Sequence, residues 1–151
     1  MKPRIMLKKT LAPDVKLFKI EAPSIAGRAK SGQFVILRVD EAGERIPMTL
    51  VDWDDKEGTI TLVFKEVGAS TKKLGTLEVG DEIRDLVGPL GNPGEIKLYG
   101  RVCVIGRGVA IAAAYERAKK LKEVGNHVIA IISARSCLLY TSPSPRDRQK
   151  S

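Results

Sequence analysis

Between residues 5 and 98 the chain consists of short segments in which apolar and polar positions alternate, separated by turns. In Thr59–Phe64 the side chains of Ile60, Leu62 and Phe64 share one face of an extended strand. Three further segments have a similar strand-like composition: Val15–Ile20, Phe34–Val39 and Ile83–Val87. A short helical turn fits at Ser70–Leu74. This spacing of strands and turns predicts a small antiparallel barrel or sandwich over residues 1–99.

From Gly100 onward the pattern changes to strands that bracket one long helix. Two apolar runs, Val102–Ile105 and Val128–Ile132, flank an amphipathic segment that ends near Val124. This order predicts a right-handed βαβ unit with parallel strands. With only two strands and one helix, the unit is predicted to be an incomplete α/β domain over residues 100–136.

The helical segment has an apolar face and a charged face. Four residues fall at core spacing: Ile111, Ala114, Ala118 and Leu121. The opposite face carries Glu116, Arg117, Lys119, Lys120 and Lys122. Since Glu116 and Lys120 lie four positions apart, we expect them to form an ion pair on that charged face.

Composition indicates a soluble globular protein, with 43% hydrophobic residues. No apolar run approaches the roughly 20 residues that a membrane span needs, and the start, MKPRIMLKK, lacks the apolar core of a signal peptide. We therefore expect a cytoplasmic protein without a membrane partner. The two cysteines, Cys103 and Cys137, have no metal-ligand spacing, so no metal site is predicted. Cys103 lies in an apolar run and is expected to be a small buried side chain.

A net charge of +8 is compatible with a nucleic-acid-binding protein, so its distribution matters. Residues 137–151 contribute +2 of that charge, which leaves +6 for residues 1–136. The remainder is scattered among acidic residues, with Lys72-Lys73 and Lys119-Lys120 as the densest pairs. This distribution favours a solvated surface, and we expect no nucleic-acid partner. A basic β-barrel that binds RNA is the weaker alternative, because aromatic residues are not interleaved on the strands.

The last fifteen residues, CLLYTSPSPRDRQKS, fit neither region. Their prolines, serines and charges predict disorder. Codons that encode Cys137–Asp147 spell a string that resembles a transposase adapter used in preparing sequencing libraries. We therefore expect residues 137–151 to be a translated artefact, and the natural protein to continue differently after Ser136.

A glycine turn, Gly106-Arg107-Gly108, lies between the first apolar run and the long helix. Such a turn presents backbone N–H groups and the positive end of the helix dipole to an anion. It predicts a binding site for a pyrophosphate group. A lone glycine turn before a helix is a weak signal, so the prediction of this site rests mainly on the neighbouring segments of the sequence.

Several segments, in this order along the chain, resemble the ferredoxin–NADP reductase superfamily. They are KSGQFVILRVDEAGERIPMTLVDWD, FKEVGASTKKLGTLEVGDEI, VGPLG and the βαβ segment. The resemblance covers residues 1–136 and points to the small electron-transfer subunits: the ferredoxin–NADP reductase alpha subunit, also called the sulfide dehydrogenase small subunit, and the dihydroorotate dehydrogenase electron-transfer subunit. It implies an antiparallel Greek-key β-barrel that binds flavin, followed by a Rossmann-like nucleotide-binding domain that is truncated here.

The resemblance implies that one strand of the barrel holds FAD. Arg45 would bind the pyrophosphate with its planar fork of donors, and Thr49 would act in catalysis at the flavin N5–O4 edge. Pro47 and Met48 would pack beside the isoalloxazine, and Leu50 completes the cofactor-binding strand. Arg45 stands one residue further from Thr49 than in the commoner pattern. Taken alone, an exposed arginine at a strand start is the alternative interpretation.

A second flavin segment is implied at Gly68-Ala69-Ser70-Thr71. Gly68, Ser70 and Thr71 would direct backbone and hydroxyl donors towards phosphate oxygens. A simple helix cap, in which Ser70 or Thr71 satisfies free N–H groups, is the equal alternative. The segment Gly88-Pro89-Leu90-Gly91 resembles the family's connector beside the nucleotide cleft, although as a bare pattern it is only a turn.

The glycine turn resembles the family's nucleotide loop, which implies that Gly106, Gly108 and Val109 contact NAD(P)H. Arg135 would lie where family members bind the nucleotide's ribose or 2′-phosphate. The loop departs from the family pattern at three positions: Arg107, Ala110 and Ala113.

The function implied is that of an electron-transfer flavoprotein subunit. It would pass hydride from NAD(P)H to FAD, and electrons on to an iron–sulfur centre or a larger oxidoreductase subunit, either glutamate-synthase-like or dihydroorotate dehydrogenase-like. The cysteines of a [2Fe–2S] centre are expected only in a carboxy-terminal part beyond residue 136. The alternative is a flavin-binding fragment without catalytic activity. The sequence leaves open the choice between NADH and NADPH.

Overall fold

The computed structural model of the protein describes residues 2–135, so the predicted tail at residues 137–151 lies outside the described residues. Its strands are β1 (Arg4–Ala12), β2 (Val15–Glu21), β3 (Phe34–Arg38), β4 (Ile46–Thr49), β5 (Asp52–Asp54), β6 (Thr59–Lys65), β7 (Asp85–Leu90), β8 (Arg101–Arg107) and β9 (His127–Ser133). Its helices are α1 (Pro23–Ala26), α2 (Ala69–Gly75) and α3 (Ile111–Glu123), with a 3-10 turn at Gly108–Ala110 before α3. None of these helices is long and apolar enough to cross a membrane.

Two antiparallel sheets form a barrel-like unit. One sheet has the strand order β1-β2-β6-β5 and the other has the order β4-β3-β7. Backbone hydrogen bonds connect the two sheets through the segments between their strands. The Ile5 N–H of β1 donates to the carbonyl of Asp81, which precedes β7, at 3.0 Å, and the N–H of Val51, between β4 and β5, donates to the Thr61 carbonyl of β6 at 3.1 Å. Within residues 2–135 these bonds link the sheets without a single closed ladder of strands. The predicted fold class is confirmed in this barrel-like form.

The inward side chains of both sheets form one hydrophobic core. On β2, Phe18 and Ile20 are fully buried, whereas Lys19 between them points outward. Phe18 packs edge-on against Phe64 of β6, with 5.1 Å between the ring centroids. Val35 of β3 contributes from the opposite sheet. Each large apolar side chain buried in this way contributes about 1.5–3 kcal/mol, which fixes the sheets around a single interior.

Strand β7 lies further along the chain than the predicted strand at Ile83–Val87. The segment Gly88-Pro89-Leu90-Gly91, which as a bare pattern is a turn, continues the strand as far as Leu90. Leu90 pairs with Phe34 of β3. A Cβ atom at Gly88 would lie 2.7 Å from Val35 Cγ1, so glycine permits this close pairing. The strand therefore runs through a segment whose composition favours a turn.

The parallel pair β8-β9 and helix α3 form the predicted βαβ unit. Leu121 of α3 is buried against this pair, while Ile105 of β8 is 72% exposed. Cys103 is exposed as well, so the prediction that it is buried was wrong. The reason is that among the described residues α3 covers only one face of the two-stranded sheet.

The charged face of α3 does not lie wholly in solvent. Glu116 is only 5% exposed and accepts a hydrogen bond from Ser31, in the loop before β3. Lys120 lies 3.8 Å from Glu123 instead of pairing with Glu116. The predicted Glu116–Lys120 ion pair is therefore wrong, because this side of the helix packs against the barrel-like unit.

Candidate functional site

Strand β4 divides its predicted site residues between two faces. Pro47 and Thr49 are exposed on the outer face of the sheet, whereas Met48 is 7% exposed and Leu50 is fully buried in the core. This alternation follows from the two-residue period of a strand. A ligand on the outer face would meet the side chains of Pro47 and Thr49, and only backbone atoms of Met48 and Leu50.

Apolar side chains surround Thr49 on that outer face. Thr49 pairs with Phe34 across the sheet, Pro47 pairs with Ile36, and Ile36 pairs with Val87 on its other side. Directly opposed residues project to the same face, and Val87 is 55% exposed. These residues form a largely apolar surface that carries one hydroxyl, a composition that suits a flat aromatic ring. We call Phe34, Ile36, Pro47, Thr49 and Val87 the outer face.

Sequence reasoning did not single out Phe34, Ile36 and Val87, which lie beside the predicted residues Pro47 and Thr49 on the outer face. The signal was present in the run Phe34-Val35-Ile36-Leu37, which is apolar at every position. A barrel strand needs apolar residues only on its inward face, and here Val35 and Leu37 already fill the core. The additional apolar residues make the outer face a candidate surface for an apolar ligand.

Arg45 lies at the rim of the outer face, immediately before β4. It is exposed and lines an open depression of about 330 Å³ together with Arg38, Asp85 and Val87. The Arg38 guanidinium donates to the Asp85 carboxylate at 2.7 Å, which neutralises that pair. Arg45 forms no ion pair within residues 2–135, so its guanidinium is available to an anion.

The two predicted flavin segments are joined in space. Ser70 of α2 donates to the Glu44 carboxylate at 2.9 Å, and Lys73 of the same helix forms an ion pair with Asp40. The hydrogen bond from Lys73 holds the pKa of Asp40 below its usual value. The loop between β3 and β4, which carries Arg45, is thereby tied to α2.

Thr71 caps the start of α2. Its hydroxyl oxygen accepts the backbone N–H groups of Val67 at 3.0 Å and Gly68 at 3.1 Å, and its hydroxyl donates to the Gly68 carbonyl at 3.2 Å. The cap interpretation is thus confirmed for Thr71. Gly68 is exposed, with open space where a side chain would stand. Phosphate contacts by Gly68, Ser70 and Thr71 stay predictions.

In the predicted nucleotide loop, Gly106 serves the packing of helix on strand. Gly106 is buried, and a Cβ atom there would lie 2.8 Å from the Ala114 Cβ and 3.0 Å from the Ile111 Cα. Gly108 has a φ of +60°, a left-handed conformation that favours glycine. Val109 is 37% exposed beside it. The loop therefore makes a tight turn into a closely packed helix.

The structure brings this loop and Arg135 to one edge of the sheet. Arg107, the last residue of β8, pairs with Ser133, the last residue of β9. Because the strands are parallel, the residues after both ends, including the exposed Arg135, lie at the same edge. Nucleotides bind at this carboxyl edge in open α/β sheets. Contacts from Gly106, Gly108, Val109 and Arg135 to a nucleotide stay predictions.

A family model described as an oxidoreductase FAD-binding domain matches residues 3–93, which include all of β1 to β7. The chain belongs to this family. The match covers both predicted flavin segments and every residue of the outer face. The residues predicted to bind flavin therefore lie within the matched part, whereas those predicted to bind NAD(P)H lie beyond it.

Curated relatives extend the resemblance beyond the FAD-binding domain. The chain is 47% identical over 132 residues to a dihydroorotate dehydrogenase B (NAD(+)) electron transfer subunit homolog from Thermotoga maritima. This match covers 87% of this chain and 47% of the relative. It is 29% identical over 137 residues to the dihydroorotate dehydrogenase B (NAD(+)) electron transfer subunit of Enterococcus faecalis, covering 87% of this chain and 52% of that one. The chain thus spans about half the length of the curated relatives that it matches.

Solved structures agree with the fold. An NADH-dependent reduced ferredoxin-NADP oxidoreductase shares 45% sequence identity at a TM-score of 0.89, covering 92% of this chain and 50% of the other. Phthalate dioxygenase reductase has 16% identity and a TM-score of 0.74, covering 90% and 44%. The second likeness concerns the fold alone. Together they confirm a ferredoxin reductase-like fold with a barrel-like FAD-binding domain and a partial Rossmann-like unit.

Proposed function

We propose that this chain binds FAD with the isoalloxazine ring on the outer face, next to Thr49. The observation that carries the proposal is an exposed hydroxyl within an apolar surface, on a barrel strand whose inward side already fills the core. A flat aromatic ring gains free energy from covering apolar surface, at about 25 cal/mol per Å². The membership in a FAD-binding family supports the same assignment.

The residues on and around the outer face would contact different parts of the cofactor. Thr49 would offer its hydroxyl to the polar N5–O4 edge of the ring, while Pro47 and Val87 cover its apolar surface. Arg45, which has no ionic partner in the described part of the chain, would bind the pyrophosphate. FAD, when bound, would supply the capacity to accept a hydride and release single electrons. The protein's part is to orient the ring and exclude water from one side.

The hydride donor that we propose is NAD(P)H, bound at the carboxyl edge of β8-β9. Support comes from the 3-10 turn at Gly108–Ala110, in which Val109 is exposed and which directly precedes α3 with the positive end of its dipole. Arg135 lies at the same edge and would contact the ribose or its 2′-phosphate. In this proposal the two sites belong to one electron-transfer reaction, from nicotinamide to flavin.

Electrons would leave this unit towards a larger oxidoreductase subunit. The names of the relatives from Thermotoga maritima and Enterococcus faecalis, both electron transfer subunits, support a dihydroorotate dehydrogenase-like partner. A glutamate-synthase-like partner stays a prediction. The residues described here do not fit a [2Fe–2S] centre, because no three potential ligands among them lie together. We therefore derive no step through such a centre.

A second candidate is a flavin-binding unit that does not turn over NAD(P)H by itself. The observation in its favour is the exposed apolar side of the β8-β9 pair, where Ile105, Ile129 and Ile131 are each more than half exposed. Among the described residues, only one face of this α/β unit is covered. Its surface for binding a nucleotide is therefore reduced. Reduction of an artificial acceptor by NADH or NADPH, at a rate typical of such reductases, would exclude this candidate.

The proposed flavin site is tested by FAD titration of the purified chain, followed by flavin fluorescence. Thr49→Val removes the hydroxyl and keeps the shape. Loss of one hydrogen bond worth about 0.5–1.5 kcal/mol predicts a Kd for FAD that is up to about tenfold higher. Thr10→Val is the control, because Thr10 is also an exposed strand threonine but lies on β1, away from the outer face. Equal affinities for both variants would contradict the assignment of Thr49.

A further inference from the structure

Helix α3 and the barrel-like unit meet at a buried carboxyl group. Glu116 is 5% exposed, and its Oε2 accepts a hydrogen bond of 2.9 Å from the Ser31 hydroxyl. The two residues are 85 positions apart in sequence. The other oxygen, Oε1, is buried and has no hydrogen-bond partner within residues 2–135. A carboxyl group is thus enclosed between two units with one of its two oxygens satisfied.

Neighbouring residues of α3 place the helix on the same part of the barrel-like unit. The Arg117 guanidinium lies 3.5 Å from the Ser31 hydroxyl and donates to the Glu95 carbonyl at 3.2 Å. The Lys120 ammonium lies 5.3 Å from the ring centroid of Trp53, in a cation–π arrangement. The docking contact is therefore small and polar, with Glu116 as its most buried group.

The charged groups that face Glu116 only partly compensate its burial. Arg117 and Lys120, on its own helix, favour the ionised carboxylate, as does the hydrogen bond from Ser31, whereas Asp52 of β5 opposes it. Burial outweighs these favourable contacts and raises the pKa of Glu116 above its ordinary value of 4.5. An ionised Glu116 is thus costly in the docked arrangement.

We propose that Glu116 is a proton-sensitive latch that holds α3 against the barrel-like unit through Ser31. This inference goes beyond the proposed function and does not depend on flavin binding. Because α3 begins directly after the turn at Gly108–Ala110, its docking sets how far that turn stands from Thr49. Glu116 would thus act as a positioning residue for the two proposed sites, without contacting either ligand.

The direction of the pH dependence follows from the raised pKa. Well below pH 4.5 the carboxyl is protonated whether the helix is docked or free, and the latch contributes fully. As the pH rises from 4.5 through the raised pKa, the Glu116 carboxyl of an undocked helix ionises in water. In the docked helix, burial disfavours the same ionisation. Docking therefore weakens over this window and stays weaker above it.

Trp53 supplies the measurement, since it is the only tryptophan of the chain and lies at the contact. The full chain is titrated from about pH 4 to about pH 8 while acrylamide quenching of its tryptophan fluorescence is recorded. We expect quenching to increase with pH in the wild-type chain. Glu116→Gln keeps the shape of the side chain without a titrating proton, and it should abolish this pH dependence. Glu82→Gln is the control: Glu82 is a half-exposed carboxylate that lies 3.8 Å from Arg4, and this variant should behave as wild type.

Two results would overturn the latch. One is quenching of the wild-type chain that does not change over this range, and the other is an unchanged titration in Glu116→Gln. Should Glu116→Gln fail to fold, Ser31→Ala decides the matter. Removing the Ser31 donor takes away a contact that favours the carboxylate, so the midpoint of the titration should move to higher pH. A midpoint that stays in place or moves to lower pH contradicts the proposal.

Discussion

A single amide side chain, that of Asn126, joins the segment before β8 to the end of α3. Its Oδ1 accepts the backbone N–H groups of Tyr99 at 2.6 Å and Gly100 at 2.9 Å. Its Nδ2 donates to the carbonyls of Lys97 and Leu121, each at 2.9 Å. Asn126 is 5% exposed, and all four hydrogen bonds of its amide are formed. No other residue type of this size offers two donors and two acceptors here.

Asn126→Ala should destabilise the chain and release this segment. The substitution leaves two backbone N–H groups without their acceptor, which costs about 1–3 kcal/mol for each that remains buried. Hydrogen exchange should show faster exchange of the Tyr99 and Gly100 amides, and urea unfolding a lower midpoint. Asn92→Ala is the matched control, because Asn92 is exposed. If the two amides exchange as slowly as in wild type, the bridging role of Asn126 is refuted.

At the scale of residues, the sequence indicates which side chains are candidates for a role, but not which contacts they make. Ser70 and Thr71 are both candidates for the helix cap in the sequence, and only the hydrogen-bond geometry assigns the cap to Thr71. Glu116 stands at a spacing typical of a solvent-exposed ion pair with Lys120. Its burial depends on a contact with Ser31, 85 positions away, which no local pattern encodes.

At the scale of elements, β3 defines the candidate site, since both of its faces are apolar. Its inward residues fill the core, and its outward residues Phe34 and Ile36 lie between Thr49 and Val87. A polar outward face would be expected for a strand whose outer side meets only water. The apolar outer face is therefore suited to binding an apolar ring, in agreement with the proposed flavin site.

Val87→Asp should weaken FAD binding by about tenfold or more, since a carboxylate beneath the ring would lose its hydration on binding. Stability should change little, because Val87 is 55% exposed. Val79→Asp offers a matched control: this valine is 59% exposed and lies in the turn before Ile83. Kd values for FAD, measured by titration of flavin fluorescence, decide the outcome. A similar loss in both variants would mean that the effect is charge in general, and not the outer face.

Elements with a clear periodicity of their own were predictable from the pattern alone, whereas β4 was implied only by the family resemblance and β5 was not predicted. β2, β6 and α3 each carry enough alternating or helical positions to be recognised, and they lie close to where the sequence predicts them. β5 has three residues and β4 has four, one of them a proline, so neither shows a period of its own. Their positions depend on pairing with β6 and β3, which is a tertiary effect.

At the scale of the whole molecule, two units contribute two proposed sites. The outer face belongs to the barrel-like unit, and the turn at Gly108–Ala110 belongs to the βαβ unit. The contact between them is the small polar one around Glu116 and Trp53. Contacts of this size between units permit relative motion more readily than large apolar ones do. The relative placement of the two sites is therefore open to adjustment through α3.

The measurement that tests the central claim most directly is a crystal structure of the full chain with FAD bound. The account predicts the isoalloxazine ring on the outer face, over Val87 and Pro47, with its N5–O4 edge within hydrogen-bond distance of the Thr49 hydroxyl. It also predicts a pyrophosphate oxygen on the Arg45 guanidinium. A ring bound elsewhere, with the outer face left open to solvent, would contradict it.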